Sequence, residues 1–92
     1  MTTGEREQPR CTVRYWAAAR EAAGVSSEEV AAGTLADVLH VLRARSPQLA
    51  EVVSRSAFLV DGVPAGRRDP TQVLLHRGSV VDVLPPFAGG AW

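Results

Sequence analysis

Alternation of apolar and polar side chains predicts a β-strand near each end of the chain, at residues 11–16 and 79–84. The side chains that share one face in these two strands are Cys11, Val13, Tyr15, Val81 and Val83. Weaker patterns predict two further strands at residues 27–32 and 57–60, and a turn at Asp61–Gly62 ends the second of these. The chain therefore offers four strands to a sheet.

The spacing i, i+3, i+4 and i+7 of four apolar side chains predicts one main amphipathic helix. These side chains are Leu35, Val38, Leu39 and Leu42. Thr34 and Asp37 form a capping pair at its start, and Pro47 disfavours helical geometry at the residue before it. Pro47 also suits the first turn of a second short helix, and the alanine-rich residues 17–23 predict a helical turn that stops at Gly24.

The order strand, strand, helix, strand, strand predicts an α+β roll in which the main helix packs across one face of the sheet. Pairing the first and last strands side by side in the middle would make them parallel. We divide the chain into a disordered tail at residues 1–10, a folded domain at 11–84 and a projecting C-terminal tail at 85–92. Residues 64–72 are rich in turn formers and charge, so we expect a solvated connection there.

Length and charge exclude several classes of function. The chain has 92 residues, enough for a single core, and its ten basic and ten acidic residues cancel. We expect neither a nucleic-acid partner nor a membrane, because no net charge attracts either and no apolar run could span a bilayer. The N-terminal residues lack the apolar stretch of a signal peptide, so a cytoplasmic location is expected. All ten basic residues are arginine, so an activated C-terminus could not join copies of this protein through lysine.

Few side chains are suited to catalysis or metal binding. Cys11 is the only cysteine, so no internal disulfide can form, and we expect it to face the core. The two histidines, His40 and His76, are expected to be solvated on a helix and in a turn, which leaves no nucleophilic dyad and no metal site. Any chemistry is therefore expected in the C-terminal tail.

The residues after the last strand carry no periodic pattern. Pro85 and Pro86 stiffen the base of this tail, while Gly89 and Gly90 have no side chains. A backbone without Cβ atoms can enter a channel too narrow for other residues and bring a carboxyl group to the α-phosphate of a nucleotide. Taken alone, paired glycines near a terminus are also typical of a flexible end.

Several segments together resemble the MoaD/ThiS family of ubiquitin-like sulfur carriers. The matching segments are VRYWAAAREAAG at 13–24, GTLADVL at 33–39, FLVDG at 58–62, RG at 77–78 and VLPPFAGG at 83–90. Their order and spacing agree with the family, and the two prolines before Gly89 and Gly90 are most similar to the small subunit of molybdopterin synthase. The resemblance implies a β-grasp fold, with a mixed sheet of four to five strands and one main helix across one face.

The resemblance also implies a function. An E1-like adenylating and sulfurtransferase enzyme would consume ATP to adenylate the Gly90 carboxylate, which then becomes a thiocarboxylate, and Gly89 would line the enzyme's channel. In the molybdenum-cofactor branch, the large subunit of molybdopterin synthase holds the pterin precursor that receives the sulfur. The carrier itself would bind no cofactor and no metal. Two alternatives stay open: a carrier of sulfur for cysteine, thiamin or a natural product, and a ubiquitin-like binding module without acyl chemistry.

The chain departs from the family pattern after the paired glycines. Gly90 is followed by Ala91 and Trp92, so its carboxyl group lies in a peptide bond that ATP cannot activate. Some similar carriers are matured by a zinc-dependent JAMM-type metalloprotease, and we expect the same cleavage between Gly90 and Ala91. The alternative is that both residues stay in place in a protein without carrier activity.

The sheet face opposite the main helix is expected to carry apolar side chains. On this face and the adjoining tail, the predicted partner-binding residues are Leu59, Leu84, Pro85, Pro86, Phe87 and Ala88, next to Val80. A contiguous apolar patch on a small domain is typical of a docking site, here for the adenylating enzyme and the sulfur recipient, with Arg14 at the rim. The alternative is the ordinary scatter of apolar side chains on a protein surface.

Overall fold

A mixed sheet of five strands forms one layer of the computed structural model, which describes residues 8–86. The strands are β1 (Arg10–Tyr15), β2 (Ser27–Ala31), β3 (Ala57–Val60), β4 (Val63–Pro64) and β5 (Val80–Leu84). Their order across the sheet is β2-β1-β5-β3-β4, with β1 and β5 parallel and the other pairs antiparallel. The predicted parallel pairing of the first and last strands is confirmed, whereas the two-residue strand β4 was not predicted.

The helices begin and end where the sequence places their caps. They are α1 (Ala18–Ala23), α2 (Leu35–Arg45) and α3 (Pro47–Arg55), and a 3₁₀ turn spans Pro70–Gln72. At the start of α2, the Thr34 hydroxyl accepts from the Asp37 N–H at 3.2 Å, and the Asp37 carboxylate accepts from the Thr34 N–H at 3.1 Å. Helix α1 ends at Gly24, whose φ of 81° lies in the left-handed region that favours glycine. The predicted capping pair and glycine stop are confirmed.

The hydrophobic core lies between the helices and one face of the sheet. The inward side chains of β1 and β5 are Cys11, Val13, Tyr15, Val81 and Val83, and each is at most 2% exposed. The helices contribute Leu35, Val38, Leu39, Leu42, Leu49, Val52 and Val53 to the same cluster. Burying each large aliphatic side chain stabilises the fold by roughly 1.5–3 kcal/mol, so the predicted alternation is what holds the sheet to the helices.

The segment after β4 is mostly exposed, as predicted for the connection at residues 64–72, with one buried side chain. Ala65 within it is 5% exposed, and Val73 and Leu75 just beyond it are buried as well. The reason lies at the start of α2, where the Leu35 N–H donates to the Val73 carbonyl at 2.9 Å. The segment therefore covers the first turn of α2 and closes that end of the core, while residues 66–69 between these contacts are exposed.

One predicted domain boundary differs from the structure by a residue. Strand β1 begins at Arg10, the last residue assigned to the N-terminal tail, because Arg10 pairs with Ala31 of β2. The α+β class with α2 across one face of a mixed sheet is confirmed. Within residues 8–86, no helix is long and apolar enough to cross a membrane. Residues 1–7 and 87–92 of the two predicted tails lie outside the described residues.

Candidate functional site

The sheet face opposite the helices carries a group of six side chains around Asp82, and we call this group the outer face. They are Arg14, Trp16, Leu59, Val80, Asp82 and Leu84. Their positions alternate with those of the core residues, so the predicted outward direction of Leu59, Val80 and Leu84 follows from the strand register. These three side chains are half-buried against their neighbours. Their role in partner binding stays a prediction.

A polar cluster stands at the centre of the outer face. Asp82 on the central strand β5 is only 3% exposed although its side chain lies on the sheet face opposite the helices. Its carboxylate accepts from Arg14 Nε at 2.7 Å, from Arg14 Nη2 at 3.0 Å and from Trp16 Nε1 at 2.8 Å. The Arg14 guanidinium carbon lies 5.8 Å from the centroid of the Trp16 ring. Arg14 and Trp16 therefore shield the Asp82 carboxylate from solvent and also donate the hydrogen bonds that it accepts.

The cluster keeps both of its charges at neutral pH. The bond from Arg14 is the main cause that lowers the pKa of the Asp82 carboxyl, and the bond from Trp16 acts in the same direction. Burial opposes this shift without reversing it. The same bond raises the pKa of Arg14 above its ordinary value. Asp82 and Arg14 thus form an ion pair with no net charge.

The backbone next to the cluster adopts an uncommon conformation. Ala17, between β1 and α1, has φ 50° and ψ −124°, a combination that L-residues other than glycine rarely adopt. Just before it, the Trp16 N–H donates to the Val83 carbonyl at 3.3 Å, which holds Trp16 beside β5. The sharp turn at Ala17 lets the chain enter α1 while the indole stays on the outer face, and such strain costs about 1–3 kcal/mol.

The base of the C-terminal tail adjoins this cluster. Leu84 pairs with Ala57 of β3, and the next side chain, Pro85, is fully buried. The prediction that Pro85 contributes a partner-binding surface is therefore wrong for its side chain, because the ring packs inside the domain and anchors the tail. Pro86 is exposed. The predicted site residues beyond it, Phe87, Ala88, Gly89, Gly90 and Ala91, lie outside the described residues.

The remaining reactive side chains lie apart from the outer face. Cys11 is 1% exposed, as predicted, and burial is the main cause that raises the pKa of its thiol. His40 on α2 and His76 before a turn are both exposed, as predicted. Among residues 8–86, no group of three His, Cys, Asp or Glu side chains is placed to hold a metal ion. The outer face and the tail base are two features on which a function can be built.

A family model described as the ThiS family matches residues 13–90, from the first core strand through the second of the paired glycines. The chain belongs to the ThiS family. The resemblance to ubiquitin-like sulfur carriers that the segments indicated is thereby confirmed, and the match reaches past the described end of this ThiS-family chain to Gly90. No curated protein sequence matches the chain.

Solved structures share the fold of this ThiS-family chain. The solution structure of the HVO 2177 protein from Haloferax volcanii has a TM-score of 0.75 and 28% identity, over 89% of this chain and 87% of that one. Small archaeal modifier protein 1 from Methanosarcina acetivorans has a TM-score of 0.77 and 24% identity, over 89% and 97%. A structure of subunits 1 and 2 of molybdopterin-converting factor from Helicobacter pylori has a TM-score of 0.66 and 21% identity, over 88% and 99%. The β-grasp fold is confirmed.

Two residues of the outer face were missed by the sequence reasoning. Asp82 falls on the outward side of the predicted last strand and Trp16 ends the predicted first strand, and neither pattern predicts a role for these residues. A signal was available, because Arg14, Trp16 and Asp82 share outward parity on two strands predicted to be neighbours. An aspartate between valines on a central strand needs a partner, and the arginine directly opposite in the register supplies it.

Proposed function

We propose that this chain is a sulfur carrier whose Gly90 carboxylate is converted to a thiocarboxylate after Ala91 and Trp92 are removed. The observation that carries the proposal is the family match, which includes both glycines of the tail. The fold supports it, because the tail leaves from the central strand β5 and is anchored by the buried ring of Pro85. The carboxyl group would thus be presented at the end of a short segment with a fixed base.

The chemistry requires an enzyme partner that supplies the activation. A carboxylate is a poor electrophile, so its oxygen first attacks the α-phosphorus of ATP and pyrophosphate leaves. A sulfur nucleophile delivered by the same E1-like adenylating and sulfurtransferase enzyme then attacks the acyl carbon, and AMP leaves. The carrier contributes the carboxylate alone, in keeping with an exposed surface that lacks a reactive thiol. Because ATP is consumed, we place the reaction in the cytoplasm.

The peptide bond between Gly90 and Ala91 must be hydrolysed before activation. A carboxyl group in amide linkage offers no oxygen anion to ATP, so under this proposal the form that carries Ala91 and Trp92 is a precursor. We propose that a JAMM-type zinc metalloprotease releases Ala91–Trp92. Cleavage after the second glycine would leave the tail that the family match covers.

We propose molybdopterin synthesis as the destination of the sulfur, with the large subunit of molybdopterin synthase as recipient. The diproline before the glycines supports this branch, and the shared fold with subunit 1 of a molybdopterin-converting factor is compatible with it. Carriers for cysteine, thiamin or a natural product would use the same acyl chemistry. Incubating the thiocarboxylated chain with each recipient enzyme separates these destinations, because only the correct one consumes the sulfur.

We propose that the outer face docks the adenylating enzyme and the recipient in turn. It adjoins the tail base, so a partner seated there would lie next to the first residues of the tail. Its apolar side chains lie around a polar centre, the composition of a small interface core with one specific contact. The exposed ring of Pro86 extends this surface, whereas Pro85 supports it from inside.

The test is a reaction with a chain that ends at Gly90. This chain, the adenylating enzyme, ATP and a sulfur donor should yield an acyl-adenylate and then a product in which one carboxylate oxygen is replaced by sulfur, read by intact-protein mass spectrometry. The full-length chain is the matched control and should stay unchanged until a peptidase removes Ala91–Trp92. If the shortened chain binds the enzyme but forms neither product, the chain is a binding module and the proposal is wrong.

A further inference from the structure

Asp82 occupies an unusual position for a carboxylate. It lies on the outer face, yet it is 3% exposed because Arg14 and Trp16 fold over it. An aliphatic side chain at this position would continue the apolar face without any desolvation cost, and replacing a buried ion pair by apolar groups is often neutral for stability. The pair therefore invites an explanation beyond stability.

The cluster gives the outer face a fixed polar centre without a net charge. Two bonds to Asp82 hold the Arg14 guanidinium in one plane, and the indole bond to the same carboxylate holds Trp16 beside it. Among residues 8–86, Arg14 Nη1 has no hydrogen-bond acceptor, and half of the Arg14 side chain is exposed. Trp16 is 44% exposed. The outward surface is thus an indole and a guanidinium with one free donor edge.

A partner that covers this surface must complement its charge and its hydrogen-bond donors. Because Asp82 already neutralises Arg14, an opposing carboxylate would gain little from the guanidinium and would be repelled by Asp82. A neutral acceptor such as a main-chain carbonyl can satisfy the free donor without leaving a buried charge unpaired. The surrounding Leu59, Val80 and Leu84 require apolar contacts.

We propose that Asp82 is a positioning residue for partner docking. It holds the Arg14 guanidinium and the Trp16 indole in one fixed arrangement without net charge, and this arrangement selects an apolar protein surface that bears a neutral hydrogen-bond acceptor. The partner is the adenylating enzyme, so this inference rests on the proposed function. Asp82 itself contacts no partner atom. It acts through the two side chains that it orients.

The test uses the chain ending at Gly90, in which Trp16 is the only tryptophan. In Asp82→Asn, acrylamide quenching of Trp16 fluorescence should increase, since the charged acceptor that fixes the indole is gone. The Kd for the adenylating enzyme, measured by calorimetry, should rise about tenfold through the loss of charge-assisted bonds, and it should become more sensitive to salt because Arg14 is no longer neutralised. Asp69→Asn, which removes the same charge from an exposed loop outside the outer face, should change neither measurement.

A second variant keeps the inference testable if Asp82→Asn unfolds. The double variant Arg14→Leu with Asp82→Val replaces the ion pair by apolar groups and should fold while binding the enzyme about tenfold more weakly, because the free donor edge is lost. An unchanged Kd for either folded variant, even with altered quenching, would show that the cluster is purely structural and would overturn the inference. If the unaltered chain is neither bound nor adenylated, both the proposed function and this inference fail. If it is adenylated and the variants bind as tightly, this inference alone fails.

Discussion

Trp16 should dominate the binding energy of the outer face. The other apolar side chains there, Leu59, Val80 and Leu84, are already half-buried in the free domain, so a partner can cover only the remainder of each. Trp16 is larger and 44% exposed, and its indole is held in place by the bond to Asp82. An ordered, exposed aromatic side chain loses little conformational freedom on docking. Replacing it with alanine therefore removes the largest apolar contact that the face can offer.

The exposed area of Trp16 determines how much its replacement by alanine should weaken binding. An indole side chain carries up to about 250 Å² of surface, and an exposure of 44% leaves somewhat less than half of it for a partner to cover. At about 25 cal/mol per Å², covering this area contributes roughly 2.5 kcal/mol, which corresponds to about 70-fold in Kd. The costs of association are common to the unaltered chain and the variant, so they cancel in the comparison.

Calorimetry of the chain ending at Gly90 with the adenylating enzyme measures this difference. Trp16→Phe should give an intermediate Kd, since it keeps an aromatic ring but loses the N–H donor to Asp82. Leu74→Ala is the matched control, because Leu74 is 66% exposed but lies beside Thr34 at the start of α2, away from the outer face. A Trp16→Ala variant that is folded by circular dichroism and binds as tightly as the Leu74→Ala control would refute the reasoning.

Three further predictions concern stability, each read from chemical denaturation. Thr34→Ala should lower the free energy of unfolding by about 1 kcal/mol, because the capping box at the start of α2 loses its hydroxyl; an unchanged midpoint would contradict this role. Tyr15→Phe should cost about 1.5–3 kcal/mol, since the buried hydroxyl donates to the Glu28 carboxylate, and Glu28→Gln should cost less. Because the pKa of Asp82 is lowered, mainly by Arg14, its stabilisation is complete above the unfolded-state value of about 3.9 and is lost as the pH falls through the folded-state value. Stability between pH 5 and 2 should therefore fall less steeply in Asp82→Asn, and identical slopes would argue against the ion pair.

Periodicity was sufficient to predict most of the fold. The i, i+3, i+4, i+7 spacing of leucines and valine in α2 and the two-residue alternation in β1 and β5 each repeat often enough to fix a buried face. The burial of Ala65, Val73 and Leu75 carries no such repeat, since Ala65 stands alone among turn formers and the run Val73–Leu75 is apolar throughout, so it does not show which side chains face inward. Backbone hydrogen bonds join Val73 and Leu75 to the start of α2, a contact between segments far apart in sequence that local patterns do not encode.

For the candidate site, the direction of the side chains could be predicted from the sequence, but their burial could not. Strand parity alone sends Leu59 and Leu84 to the outer face, whereas the burial of Asp82 depends on which side chains stand beside it in the register. The fixed φ of Pro85 predicts a stiff backbone, whereas the burial of its ring depends on packing at the end of β5. The direction of a side chain follows from the backbone, whereas its exposed area depends on the side chains around it.

The placement of β5 explains how docking and tail delivery can be linked in such a carrier. A central strand is held by hydrogen bonds on both sides, here by β1 and β3, so it is the part of a sheet least free to shift. Asp82, which organises the outer face, and Pro85, which anchors the tail, lie three residues apart on this strand and its continuation. Under the proposed function, a partner docked on the outer face would lie next to the start of the tail, because Asp82 and Pro85 are only three residues apart. Partner selection and presentation of the tail would then both depend on β5.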